Sequence, residues 1–193
     1  LMIRIGIVGD IGSGKSHIAK QFGCPVFDAD LEVNKLYKNS RKCFLKLKKA
    51  LPGYITSFPI KKRELSLAIM GDLKNLKKII RIVHPEIRSC LNDFTKKNIN
   101  KKFVILDIPL LLENKLNKKK DILIFVSAKK KEINKRLKKR TNFKPKIVKI
   151  FKKIQLSLEI KKKKSDFVII NNFKNKYTKK NVKTIVKKIL LNA

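Results

Sequence analysis

The chain has 193 residues, of which 50 are Lys or Arg and only 14 are Asp or Glu, a formal net charge of +36. That length fits one compact domain with an insertion, and 43% hydrophobic residues suffice to bury a core, which excludes a wholly disordered chain. No apolar run approaches the ~20 residues needed to span a bilayer, and no apolar leader is expected. Cys24, Cys43 and Cys90 are odd in number and lack a CxxC pair, which fits neither a disulfide framework nor a zinc site. A cytoplasmic protein is expected.

In chain order, Met2 to Val8 is a short apolar run ending among glycines, and reads as a buried parallel strand. Lys15 to Phe22 reads as a helix, and Pro25-Val26-Phe27 as a second strand closing on Asp28-Ala29-Asp30. From Leu31 to about Asn100 the pattern is helical; Leu76, Ile79, Ile80, Val83, Ile87, Leu91 and Phe94 fall on one face, with Pro85 expected to kink or restart the helix. Lys102 to Asp107 and Asp121 to Val126 are continuously apolar strands. Lys129 to Arg140 and Pro145 to Leu158 read as Lys-laden helices, Phe167 to Ile170 as a last strand, and Val182 to Leu190 as a closing helix. Apolar strands alternating with helices predict an α/β fold: a three-layer parallel sheet with helices on both faces.

The charge invites a nucleic-acid or anionic-membrane partner, but its distribution argues otherwise. Arg4, Lys15 and Lys20 balance Asp10, Asp28 and Asp30 in the first thirty residues, whereas Lys129 to Ala193 holds 24 basic residues against Glu132, Glu159 and Asp166. The excess is Lys, not Arg, and accompanies many Asn, as AT-rich coding would produce. Few aromatics interleave the lysines, which disfavours a basic nucleotide-dependent nucleic-acid binder. Neither an obligate nucleic acid nor a membrane is expected as partner. A basic surface would still draw in a polyanionic small substrate.

Gly9 to Ser16 satisfies GxxxxGK[ST] in full, between an apolar strand and a helix, and four of the seven glycines lie between Gly6 and Gly14. Such glycines let backbone N–H groups converge on phosphate oxygens, and the helix N-terminus adds partial positive charge. Gly9, Gly12, Ser13, Gly14, Lys15 and Ser16 are therefore nucleotide-binding candidates. Lys15 is expected to bridge the β- and γ-phosphates of ATP and to point into solvent without it; Ser16 is expected to ligate Mg²⁺. No aspartate has Gly three residues on, and Asn117 to Asp121 is one residue too long for NKxD, so a GTPase is excluded. A small-molecule kinase remains. Asp28 and Asp30, two apart at a strand's carboxyl end, are expected to share a face, one of them serving as base for the acceptor hydroxyl. A capping role for Asp30 at a helix start competes with this.

The motifs in order resemble the dephospho-coenzyme A kinases: the phosphate loop, Asp28-Ala29-Asp30, His84-Pro85, Asp107 to Glu113, Arg136 and Arg140, Gln155, and Ser165 to Asn171. The resemblance covers essentially the whole chain. It implies transfer from ATP, with Mg²⁺, to the ribose 3′-hydroxyl of dephospho-CoA. It further implies Asp30 as the base, Arg140 as the lid arginine on the transferring phosphate, Asn171 near the adenine, and His17 at the α-phosphate where the family usually has Thr. Asp10 and Ser165 also depart from the usual Gly and Ala. Asp28, His84 and Arg88 are candidate acceptor contacts. Residues 1–30, 101–128 and 159–193 would form the nucleotide-binding core, 31–100 a helical acceptor insertion, and 129–158 a lid; a monomer is expected. Another small nucleotide or nucleoside kinase is the alternative.

Overall fold

The computed structural model describes residues 2–139 and 144–191. The described residues contain five strands, β1 (Ile3–Gly9), β2 (Val26–Asp28), β3 (Phe103–Asp107), β4 (Ile122–Ser127) and β5 (Phe167–Ile170). They form one parallel sheet in the order β2-β3-β1-β4-β5. The chain falls into two units: unit 1 comprises residues 1–28, 97–143 and 154–193, and unit 2 residues 29–96 and 144–153.

Unit 1 holds the sheet. Strand alternation sends Ile5, Ile7, Ile105, Ile124 and Ile169 to one face, all fully buried, against Ile18 and Ala19 of α1 (Lys15–Gln21) and Val182, Ile185 and Ile189 of α9 (Asn175–Leu191). Burying each such aliphatic side chain is worth about 1.5–3 kcal/mol. On the opposite face a Cβ at Gly6 would overlap the Leu111 and Leu123 side chains, so the turns after β3 pack directly on β1. Arg4 lies on that face too, donating to Asp121 Oδ2 at 3.0 Å and to the Leu116 carbonyl at 3.2 Å. Asp121 also accepts from Lys118 N at 2.8 Å, so the segment that looked like NKxD is a buried tether at the start of β4.

Unit 2 contains α2 (Ala29–Asn39), α3 (Arg41–Ala50), α4 (Lys62–Gly71), α5 (Leu73–Lys97) and most of α7 (Pro145–Ile154). Leu76, Ile79, Val83, Ile87 and Leu91 form the buried stripe of α5 at the predicted spacing. The helix does not restart at Pro85: it runs continuously for 25 residues. Residues 51–61 interrupt the expected helical run; Glu64 of α4 fixes them by accepting from Thr56 N and Ser57 N at 3.1 Å each. The Lys-rich stretch 129–158 also divides, into α6 (Lys130–Lys138) in unit 1 and α7. The second predicted helix ends at Ile154 because Ser157 caps a new one, α8 (Leu158–Lys163), its hydroxyl accepting from Ile160 N at 3.2 Å. No helix among the described residues is long and apolar enough to cross a membrane.

Candidate active site

The phosphate loop joins β1 to α1 in the middle of the sheet. Gly12 and Gly14 take φ of 85° and 91°, left-handed values that favour glycine. Space demands glycine as well. A Cβ on Gly12 would lie 3.0 Å from Leu137 and 3.1 Å from Ile133 of α6, and one on Gly14 would overlap the Asn171 side chain. The loop is thus held between α6 and the segment after β5. Ser13 is fully buried there, its hydroxyl unpartnered among the described residues.

Lys15 does not simply point outward. Its ammonium donates to the Asp10 carbonyl at 2.8 Å and the Gly9 carbonyl at 3.3 Å, on the loop's own rim. Ser16, exposed at the first turn of α1, hydrogen bonds to the carboxylate of Asp107 at the end of β3. Asp107 is 6% exposed; burial pushes its pKa up, the Ser16 hydrogen bond and the Lys15 charge oppose this, and Asp28 reinforces it. Asp28 is directly opposite Asp107 in the β2–β3 register. The acid pair beside the loop is therefore Asp28 with Asp107, on adjacent strand ends. Which acid faces Asp28 is fixed by strand register, which spacing along the chain does not record.

The expected sharing of one strand face by Asp28 and Asp30 does not occur. The strand stops at Asp28 and α2 begins at Ala29, so Asp30 is exposed in the first turn of a helix, where a carboxylate complements the helix dipole. Asp30, His84 and Arg88 all belong to unit 2. His84 and Arg88 are one turn apart on α5; burial, with the Arg88 charge second, holds the His84 pKa below its ordinary value. The His84 Nε2 is buried without a hydrogen-bond partner among the described residues. Arg140 lies outside the described residues.

His17 is exposed on α1, its Nε2 2.7 Å from the Gln21 side-chain amide. Asn171 is 2% exposed, and its amide is engaged at both ends: Nδ2 donates to the Ser13 carbonyl and Oδ1 accepts from Phe173 N, each at 2.8 Å. Its own N–H donates to the Ser127 carbonyl at 2.7 Å, extending the β4–β5 ladder to the loop. Arg136 of α6 stacks over the Phe173 ring, 4.4 Å from its centroid, a cation–π contact beside Gly14. Sequence spacing gave no sign of Phe173, which adopts a positive φ of 60°.

A cation held on the loop rim, a hydroxyl joined to an acid and two facing carboxylates suit phosphoryl chemistry. Oxygen donors of this kind fit a hard divalent cation that keeps several waters. No group of three or more His, Cys, Asp or Glu among the described residues could hold a metal by protein ligands alone. A family model described as dephospho-CoA kinase matches residues 3–176. A dephospho-CoA kinase of Wolbachia pipientis wMel is 35% identical, covering 98% of this chain and 99% of its own. A crystal structure from Thermus thermophilus superposes with a TM-score of 0.76 at 27% identity, covering 98% of this chain and 97% of its own. The dephospho-CoA kinase of Campylobacter jejuni shares the fold with a TM-score of 0.63 at 21% identity and 97% coverage of both chains.

Proposed function

The chain belongs to the dephospho-CoA kinase family, and from that premise we propose how its own residues carry the transfer. The reaction moves the γ-phosphoryl group of ATP to the ribose 3′-hydroxyl of dephospho-CoA, leaving coenzyme A and ADP. The observation that carries the assignment of roles is the coupling of the phosphate loop to the strand-end acids, Ser16 to Asp107 with Asp28 opposite.

The backbone N–H groups around Gly12, Ser13 and Gly14 cradle the polyphosphate. Lys15 exchanges the Gly9 and Asp10 carbonyls for the β- and γ-phosphates, so its ammonium is already within reach when ATP arrives. His17 faces the α-phosphate and Asn171 holds the adenine side of the loop. Ser16 and Asp107 would hold Mg²⁺, which neutralises charge between the β- and γ-phosphates when bound. Asp30 accepts the 3′-hydroxyl proton as that oxygen forms its bond to the γ-phosphorus and the bond to ADP breaks. Asp28, His84 and Arg88 orient the acceptor. Arg140, in the lid segment, spreads the negative charge of the transferring group. The roles ask for no nucleic acid, membrane or second chain; the protein acts as a cytoplasmic monomer.

A coupled ADP-release assay with dephospho-CoA, AMP, shikimate and pantothenate as acceptors tests the assignment. Stoichiometric, Mg²⁺-dependent ADP release with dephospho-CoA alone is expected. Faster turnover of any other acceptor would overturn it.

A further inference from the structure

One side chain against the phosphate loop stands on a strained backbone. Phe173, in the loop between β5 and α9, has φ of 60°, a left-handed value that a residue carrying a Cβ adopts only at a cost. The hydrogen bonds of this loop do not ask for a phenylalanine. Asn171 Oδ1 accepts from Phe173 N at 2.8 Å and Asn172 Oδ1 from Lys174 N at 3.0 Å, and both donors are backbone groups. A glycine at 173 would make the same bonds and take the same φ freely. Nor does the ring serve the core, since it is only half-buried.

What the ring touches is the phosphate loop and a cation. Its edge lies against Gly14, where an added Cβ would come 3.3 Å from Cε1, and its face carries the Arg136 guanidinium 4.4 Å from the centroid. Gly14 is the N-cap of α1, where backbone N–H groups and the helix dipole favour a phosphate. Just beyond Phe173, Asn175 and Lys176 of α9 join His17 of α1 in lining an open cavity of about 530 Å³, within the size range of small-molecule sites. Phe173, Arg136 and these lining residues all belong to unit 1.

An aromatic face held beside an anion site, at the expense of backbone strain, has the chemistry of a platform for a planar ring joined to that anion. A guanidinium on the face is a stand-in for such a ring, since both are planar and both stack. Arg136 is exposed, so its contact is exchanged at little cost. Asn171, the other side chain expected near the base, is 2% exposed with its amide engaged by Ser13 and Phe173, and so offers the base no face. We propose that Phe173 is the stacking platform for the nucleobase of the phosphoryl donor, covered by the Arg136 guanidinium when no nucleotide is bound. This rests on the kinase assignment above and adds a residue that sets donor affinity and base preference. Stacking responds to the area of a π-face rather than to the groups on a base edge, so the platform favours a purine over a pyrimidine.

The test is calorimetric binding to the full chain, without acceptor, of ATP, CTP and inorganic tripolyphosphate, which carries the phosphates but no base. Salt of about 0.15 M screens the lysine-rich surface beyond about 8 Å. Phe173→Leu keeps apolar bulk but removes the π-face. It should weaken ATP ~10-fold or more, the usual worth of base–aromatic stacking, while tripolyphosphate changes less than ~2-fold. The preference for ATP over CTP should shrink toward none in the same variant. Phe173→Tyr, which keeps the ring face, should bind ATP within ~3-fold of wild type. Equal losses for ATP and tripolyphosphate in Phe173→Leu would make Phe173 a prop of the loop and overturn the proposal, as would unchanged ATP affinity. So would Phe173→Tyr losing as much as Phe173→Leu. Should wild type bind ATP but fail to phosphorylate dephospho-CoA, the kinase assignment falls, while the ratio of ATP to tripolyphosphate affinity still judges the platform.

Discussion

Asn171 offers the sharpest separation of two roles, because an adenine contact and a clamp on the phosphate loop predict different losses. Asn171→Ala deletes a donor to the Ser13 carbonyl and an acceptor for Phe173 N, both made at 2.8 Å by a side chain 2% exposed. A buried polar group left unpaired costs about 1–3 kcal/mol, so two give about 2–6. Phe173 N is only partly buried, so water can take the place of its partner, and the expected loss falls to about 1–3 kcal/mol, still a sizeable share of the 5–15 typical of a folded domain. Asn171→Asp should be at least as damaging. Its carboxylate still accepts from Phe173 N, but sets an acceptor against the Ser13 carbonyl and buries a charge. Urea unfolding without nucleotide measures both, with the midpoint falling and the slope unchanged. An Asn171→Ala unfolding free energy within about 0.5 kcal/mol of wild type, with ATP affinity alone reduced, would refute the clamp and leave only the adenine role.

Lys15→Ala is expected to lower kcat by about two or more orders of magnitude while the fold survives, read by steady-state kinetics beside circular dichroism. Asp30→Asn should cost ~10²–10⁴-fold in kcat with ATP still bound, and Asp28→Asn less; a larger loss at Asp28 would reverse the two roles. Arg140→Lys should lose nearly as much as Arg140→Ala, since forked geometry rather than charge is scarce in so lysine-rich a segment; near-normal kcat in Arg140→Lys would sink that argument. Asp107→Asn should abolish Mg²⁺-dependent turnover yet stabilise the protein at neutral pH. The pKa of Asp107 is raised in the fold, so its ionisation weakens folding as pH rises from the unfolded value through the folded one. The stability gap between variant and wild type should therefore close below about pH 3.8, which urea titrations at pH 7 and 3 would show.

The sequence by itself determined what depends on local backbone demands and burial. Phosphate-loop spacing requires glycines at fixed positions, and strands of a parallel sheet read as short apolar runs, so Gly9 to Ser16 and the five described strands were legible. The stripe from Leu76 to Leu91 was legible for the same reason, helical period against a core. Only the tertiary structure decided what depends on register and distant partners. Asp28 and Asp30 are near in sequence, yet the strand ends between them and the acid facing Asp28 is Asp107, set by β2–β3 pairing. Asn171 meets Ser13 across 158 residues of chain and Glu113 meets Leu156 across 43, and no periodicity records either contact. Lys161 looks like any other lysine of a solvated run; it is buried because a single carboxylate from another segment makes burying its charge tolerable.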